Sequence, residues 1–263
     1  MTSTAPLLDQ DGVRLTVDDT VATVTLTNPD RRNAQSPALW RALTEAGRSL
    51  PGSVRVVVLR GEGKSFSAGL DRVAFTPEGF EGEPSFIDMA RGGEEFLDAT
   101  IAEYQEAFTW LRRTDILTVA AVQGHAIGAG FQLALSCDLR VVADDVQFSM
   151  RETSLGLVPD LTGTHPLVGL VGYARALEIC VTGRFVHADE SVRTGLANLA
   201  VPGDQLEDAT RDLVAALVAA PRDAVIETKA LLQGVTGRTL DAQRAAERAA
   251  QGRRLRDLAG LGD

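Results

Sequence analysis

Three short, nearly unbroken apolar runs constrain the fold more than any other feature: "VRVVVLRG" from Val54, "LTVAAVQG" from Leu117 and "LRVVAD" from Leu139. A strand with one wet face alternates apolar and polar side chains, whereas a strand covered on both faces does not. The runs therefore read as buried strands. Segments of helical spacing lie between them. "SPALWRALTEAGRSLPG" has Ser36 placed to cap a helix, Pro37 suited to its first turn, and Pro51-Gly52 to stop it. "EEFLDATIAEYQEAFTWLRR" and the very apolar "GFQLALSCD" read as two more helices, and "VQFSM" as a further strand. The alternation predicts an α/β core with crossover connections. Ahead of it, "VRLTVDDTVATVTLTNP" alternates around Asp18-Asp19 and predicts a β-hairpin.

From Gly203 onward the pattern is helical only, in three amphipathic segments, so a boundary is placed near Pro202: a core over residues 1–202 and a C-terminal helical region over 203–263. Thr76 to Gly93 is rich in Gly, Pro and acids and reads as a mobile loop.

The formal net charge of −10 argues against a nucleic-acid or anionic-membrane surface, while leaving room for a local basic pocket. Cys137 and Cys180 are far apart and imply neither a disulfide framework nor a metal site. "MTSTAPLLDQDGVRL" has no basic segment followed by a long apolar one, so the expectation is a soluble cytoplasmic protein without signal peptide or membrane span.

Two glycine-bearing turns, "GKSFSAGLD" and "GHAIGAGFQL", sit where a buried strand ends and a helix can begin. Such junctions expose backbone N–H groups that no helix satisfies, and two that converge can bind a developing oxyanion. Either turn alone reads equally as a tight turn or a close helix contact. Other motifs fail on spacing. Gly128-Ala129-Gly130 is followed by Leu133 where a dinucleotide fingerprint needs glycine, "GEGKS" is no phosphate loop, and there is neither a G-x-S-x-G elbow nor an H-E-x-x-H. His125, His165 and His187 are scattered.

Taken together, "NPDRRNAQSPAL", "GKSFSAGLD", "GHAIGAGFQLALSCDLRVVADD" and "FSMRETSLGLVPDLTGT" resemble the crotonase superfamily, the enoyl-CoA hydratase/isomerase family, in order and spacing. The resemblance runs from the hairpin to about residue 200. It implies a spiral of repeated β-β-α units with a C-terminal helical trimerisation region, assembly as a homotrimer or a dimer of trimers, and an acyl-CoA thioester substrate. It implies no metal and no cofactor beyond the coenzyme A of the substrate.

Carried over by position, the resemblance makes the backbone N–H groups of Leu70 and Ala129 an oxyanion hole. An alanine at 129 keeps its N–H, so a departure from the usual glycine leaves the donor in place. Arg31, Arg32 and Lys64 become candidate contacts to the nucleotide end of coenzyme A, with Ala68 beside them; the alternative is that the three cations are solvated surface charges. Hydratases of the family use two glutamates. The second falls on Glu152, but the first falls on Gln132, whose amide cannot take or give a proton at neutral pH. Asp160 stands where dienoyl-CoA isomerases of the family carry a working aspartate. A family dehalogenase has a nucleophilic aspartate there too, but with an aromatic residue at the position of Glu152.

Proton shuttling needs acids whose pKa values are raised toward neutrality, and Glu152 and Asp160 lie among Leu155, Leu157, Val158 and Pro159. For Asp160 the competing reading is an N-cap of the next helix. Asp138 reads as a helix end or a buried structural hydrogen bond, and Trp110 as packing. The expectation is an enzyme that stabilises a thioester enolate and moves protons for hydration or a double-bond shift, with Glu152, Asp160 and Gln132 as the catalytic set. In the hydration version Gln132 holds the water. The alternative is a non-catalytic acyl-CoA-binding or scaffold relative.

Overall fold

The computed structural model describes residues 6–262; residues 1–5 of the N-terminal stretch read above lie outside them. Strands β1 (Leu8–Gln10), β2 (Val13–Asp18) and β3 (Val21–Leu26) form an antiparallel meander. The β2–β3 turn falls at the predicted hairpin, with Asp19 in the left-handed region at φ 52°, a conformation Asp tolerates better than most residues. β1 escapes a sequence reading because three residues are too few to display a period.

Helix α1 (Pro37–Arg48) starts as expected: Ser36 Oγ accepts the Leu39 N–H at 3.2 Å. β4 (Val56–Gly61) follows. The segment read as a loop contains a short helix, α2 (Phe86–Arg91). Its start is a capping box, with Ser85 Oγ receiving the Asp88 N–H at 3.2 Å and the Asp88 carboxylate receiving the Ser85 N–H at 3.1 Å. Six helical residues among glycines and prolines carry no periodic signal. Beyond it come α3 (Glu94–Thr109), β5 (Leu117–Val122), β6 (His125–Ile127), α4 (Ala129–Ser136), β7 (Leu139–Ala143), β8 (Gln147–Ser149), α5 (Thr164–Val171), α6 (Tyr173–Thr182), β9 (Val186–His187), α7 (Ala188–Arg193) and β10 (Leu199–Val201). The chain closes with α8 (Leu206–Ala219), α9 (Arg222–Gly234) and α10 (Leu240–Leu258).

The main sheet runs β1-β2-β3-β4-β5-β7-β10, parallel from β3 onward, and a small sheet pairs β6, β8 and β9. Both faces of the main sheet are covered, which is why its strands read as unbroken apolar runs. Val57, Leu59, Ala120, Val122 and Val142 pack with Leu43, Phe108 and Leu133 of α1, α3 and α4. Val56, Val58, Val119, Ala121 and Val141 face the other way, toward Leu206 and Val214 of α8. Tyr104 and Phe108 of α3 pack on the Trp40 ring, with ring centroids 4.8 and 6.2 Å away.

The C-terminal end of α4 is anchored by Asp138. Its Oδ2 accepts from Thr118 N at 2.8 Å, Thr118 Oγ1 at 3.0 Å and Lys229 Nζ at 2.7 Å, and Lys229 also donates to Ile116 O at 2.8 Å. This ion pair, with its lysine buried and its aspartate half-buried, ties α9 to the sheet. Among the described residues no helix is long and apolar enough to cross a membrane.

Candidate active site

The two glycine-bearing turns lie against each other. Ser67 N donates to His125 O at 2.9 Å and Ile127 N to Ser67 O at 3.1 Å, so the loop after β4 runs beside β6. The approach is closest at Gly69, φ 85°, where a Cβ would stand 2.3 Å from Ile127 O and 3.5 Å from Ala129 N. Only glycine fits there, and its presence puts Leu70 next to the start of α4. Ala129 is the first residue of α4, so its N–H has no partner within the helix. Neither the Ala129 nor the Leu70 N–H has an acceptor among the described residues. Two donors without acceptors among the described residues thus stand beside the N-terminus of α4, a place that favours negative charge.

Glu152 opens a 3₁₀ turn after β8 and points at this helix start: its Oε1 lies 3.3 Å from where a Gly128 Cβ would stand. Gly128, at φ 52° and ψ −119°, caps α4 in a conformation open to glycine, which leaves the carboxylate room. Oε1 accepts the Gln132 Nε2–H at 2.7 Å, while Oε2 is buried with no partner among the described residues. Burial raises the Glu152 pKa, and the negative charge of Asp160 adds to the rise; hydrogen bonds from its own backbone and from Gln132 work against it.

Gln132 is fully buried, and three protein partners use its amide. Its Oε1 accepts from Leu161 N at 3.0 Å and Gly163 N at 3.2 Å, which fixes the orientation of the amide and turns Nε2 toward Glu152. With both lone pairs of the carbonyl engaged, Gln132 has no acceptor left for a water.

Asp160 is exposed, yet the protein around its carboxyl raises its pKa by desolvation. It caps no helix. α5 starts at Thr164 with Gly163 in the capping position, because the chain first passes through Thr162 at φ 68°. The Asp160 carbonyl is held by Gln105 Nε2 of α3 at 2.6 Å.

Among the coenzyme A candidates, Arg31 is exposed but committed: its Nη2 pairs with buried Asp71 Oδ1 at 2.7 Å. Ala68 N donates to Arg32 O at 2.8 Å, which brings those two together. The Arg32 and Lys64 side chains are exposed and form no ion pair among the described residues. The loop bearing Lys64 packs on the turn bearing Arg31 and Arg32, since Asn33 Nδ2 donates to Glu62 O at 3.0 Å and Ser65 O at 2.8 Å. Sequence reasoning missed the buried polar residues Asn33, Gln35 and Ser67, each 0 % exposed. Their only signal is polar chemistry flanking the first glycine turn, which a solvated loop shares. Among the described residues no cluster of His, Cys, Asp or Glu is placed to hold a metal.

Comparison with known proteins gives this geometry a context. The enoyl-CoA hydratase/isomerase profile matches residues 16–256. EchA12 of Mycobacterium tuberculosis, named a probable enoyl-CoA hydratase, is 35% identical over 231 residues, covering 86% of this chain and 79% of that protein. The human mitochondrial Delta(3,5)-Delta(2,4)-dienoyl-CoA isomerase is 32% identical over 210 residues, 78% of this chain and 63% of that protein. A Thermobifida fusca YX protein crystallised in complex with CoA superposes with a TM-score of 0.89 at 48% identity, covering 95% of each chain. It has also been crystallised with acetoacetyl-CoA.

Proposed function

The chain belongs to the enoyl-CoA hydratase/isomerase family, and we propose that within it this protein shifts a double bond in an unsaturated acyl-CoA, with Glu152 as the group that carries the proton. One observation carries the reading. The carboxyl beside the two free N–H donors has one oxygen held by Gln132 and the other buried and unspent.

In the proposed reaction Glu152 Oε2 removes a proton from the acyl chain. The C–H bond breaks, an O–H bond forms on Oε2, and the electron pair moves onto the thioester oxygen. The Leu70 and Ala129 N–H groups meet that oxygen at the N-terminus of α4. Donors aimed at developing charge act most strongly where water is excluded, about 3 kcal/mol each. Glu152 then returns the proton to a different carbon, and the double bond has moved. A carboxyl with a raised pKa suits both halves of the cycle. Asp160 assists by raising the Glu152 pKa and, for a conjugated diene, by serving the far end of the system.

Hydration fits less well. Adding water needs a group to hold and deprotonate it while another protonates carbon, and the Gln132 carbonyl is occupied by Leu161 and Gly163. The CoA-bound relative supports a CoA thioester as substrate. The exposed Arg32 and Lys64 support the proposed phosphate contacts, with Arg31 steered by Asp71 and Ala68 alongside. Leu232, Leu240 and Leu258, exposed on the C-terminal helices, support a self-associating surface of the trimeric kind. Product analysis by proton NMR after incubation with crotonyl-CoA, a 3-enoyl-CoA and a 3,5-dienoyl-CoA tests the reading. A shifted double bond is expected; rapid hydration of crotonyl-CoA that survives Asp160→Asn would overturn it.

A further inference from the structure

We propose that Gln35 is a positioning residue that aims the first oxyanion donor. The inference rests on the reading of the Leu70 N–H as one of the two donors. Gln35 N donates to Gly69 O at 2.8 Å, and Asp71 N donates to Gln35 O at 2.8 Å. Both neighbours of Leu70 are therefore tied to one residue, in a parallel bridge of Gln35 with Leu70. In such a bridge the residue between the two bonds turns its own N–H and C=O to the opposite side. The direction of the Leu70 N–H is set by where Gln35 sits.

The side chain of Gln35 decides that. Its Oε1 accepts the Trp40 Nε1–H at 2.8 Å, and its Nε2 donates to Ser67 Oγ at 3.0 Å. Ser67 Oγ in turn donates to Asn33 O at 2.8 Å and accepts the Gly69 N–H at 3.2 Å. The circuit closes on Gly69, held at its carbonyl by the Gln35 backbone and at its N–H by the hydroxyl that the Gln35 amide orients. Every member uses its donors and acceptors consistently. An apolar side chain at 35 strands the Trp40 indole N–H and frees the Ser67 hydroxyl to turn, in a site 0 % exposed. Misplacing a reacting group by about 1 Å is enough to cost about a hundredfold in rate.

The test compares wild type with Gln35→Met, Trp40→Phe and Ser67→Ala, each first checked for folding by thermal melting and for affinity toward CoA. The probe is butyryl-CoA labelled with carbon-13 at the thioester carbonyl, read by infrared difference spectroscopy, alongside steady-state kinetics on the turned-over acyl-CoA. In the wild type the bound carbonyl stretch falls in frequency; absence of that fall overturns the oxyanion hole itself, whatever Gln35 does. Given the fall, Gln35→Met shows a smaller one, with kcat lower by about ten- to a hundredfold and KM within about twofold. Trp40→Phe and Ser67→Ala fall between. A folded Gln35→Met with the wild-type frequency and kcat overturns the positioning role and leaves the hole standing. If Gln35→Met fails to fold, wild-type frequencies in both other variants overturn it equally.

Discussion

Gln132 donates to Glu152 across 2.7 Å, from an amide whose carbonyl is already bound to the Leu161 and Gly163 N–H groups. The pair is asymmetric: one member is locked by backbone, and the other keeps a free, buried oxygen. A position that family hydratases fill with an acid here holds that acid's partner in place.

Replacing Gln132 by Glu sets an oxygen against Oε1 where an N–H now donates. The two carboxyls must share a proton, which raises the apparent pKa of the pair. The acid limb of the double-bond shift moves to higher pH, and hydration of crotonyl-CoA emerges or increases. A pH–rate profile of Gln132→Glu measures the first and product NMR the second.

Asp160→Asn acts in the opposite direction on the same group. The Asp160 charge raises the Glu152 pKa, so its removal lowers that pKa. Activity requires the Glu152 carboxylate and is lost as pH falls through its pKa; the acid limb of kcat/KM therefore shifts to lower pH. An unmoved limb would show that the two carboxyls do not interact.

Glu152→Gln removes the proton carrier and lowers kcat by about a hundredfold or more, with acyl-CoA affinity nearly unchanged. It also stabilises the fold at neutral pH. A carboxyl whose folded pKa lies above its unfolded value weakens the folded state wherever it is ionised. The gain in Tm is full above the folded pKa and vanishes as pH falls through the folded and then the unfolded pKa. Melting curves of both proteins across that range check the sign.

Lys64→Ala removes a cation at the proposed nucleotide end from an exposed side chain that forms no ion pair among the described residues. Loss of a charge-assisted contact raises KM for the acyl-CoA about tenfold and leaves kcat unchanged. An equal fall in kcat would place Lys64 elsewhere in the mechanism.

Lys229→Met leaves Asp138 in a half-buried site without its cation. Removing one partner of a buried pair costs about 3–5 kcal/mol, read as a lower urea midpoint.

The sequence and the structure agree where spacing is local. The two glycine turns and the apolar strands are each defined within a dozen residues, and each forms where its pattern put it. Relationships across the chain were not legible. Gln132 reads as an amide free to hold a water until Leu161 and Gly163 are seen on its carbonyl, 29 and 31 positions away. Gln35 reads as a loop residue until Gly69, Ser67 and Asp71 close around it. The capping alternative for Asp160 failed on one backbone angle, at Thr162, which no composition rule anticipates.

Single-turnover NMR of a 3-enoyl-CoA in deuterated water, with wild type and Glu152→Gln compared at equal occupancy, decides whether Glu152 carries the proton of a double-bond shift. That role requires a shifted double bond and no hydroxyacyl product with the wild type, and bound but unchanged substrate with the variant. A 3-hydroxyacyl-CoA as the main wild-type product, or a Glu152→Gln rate near that of the wild type, would contradict it.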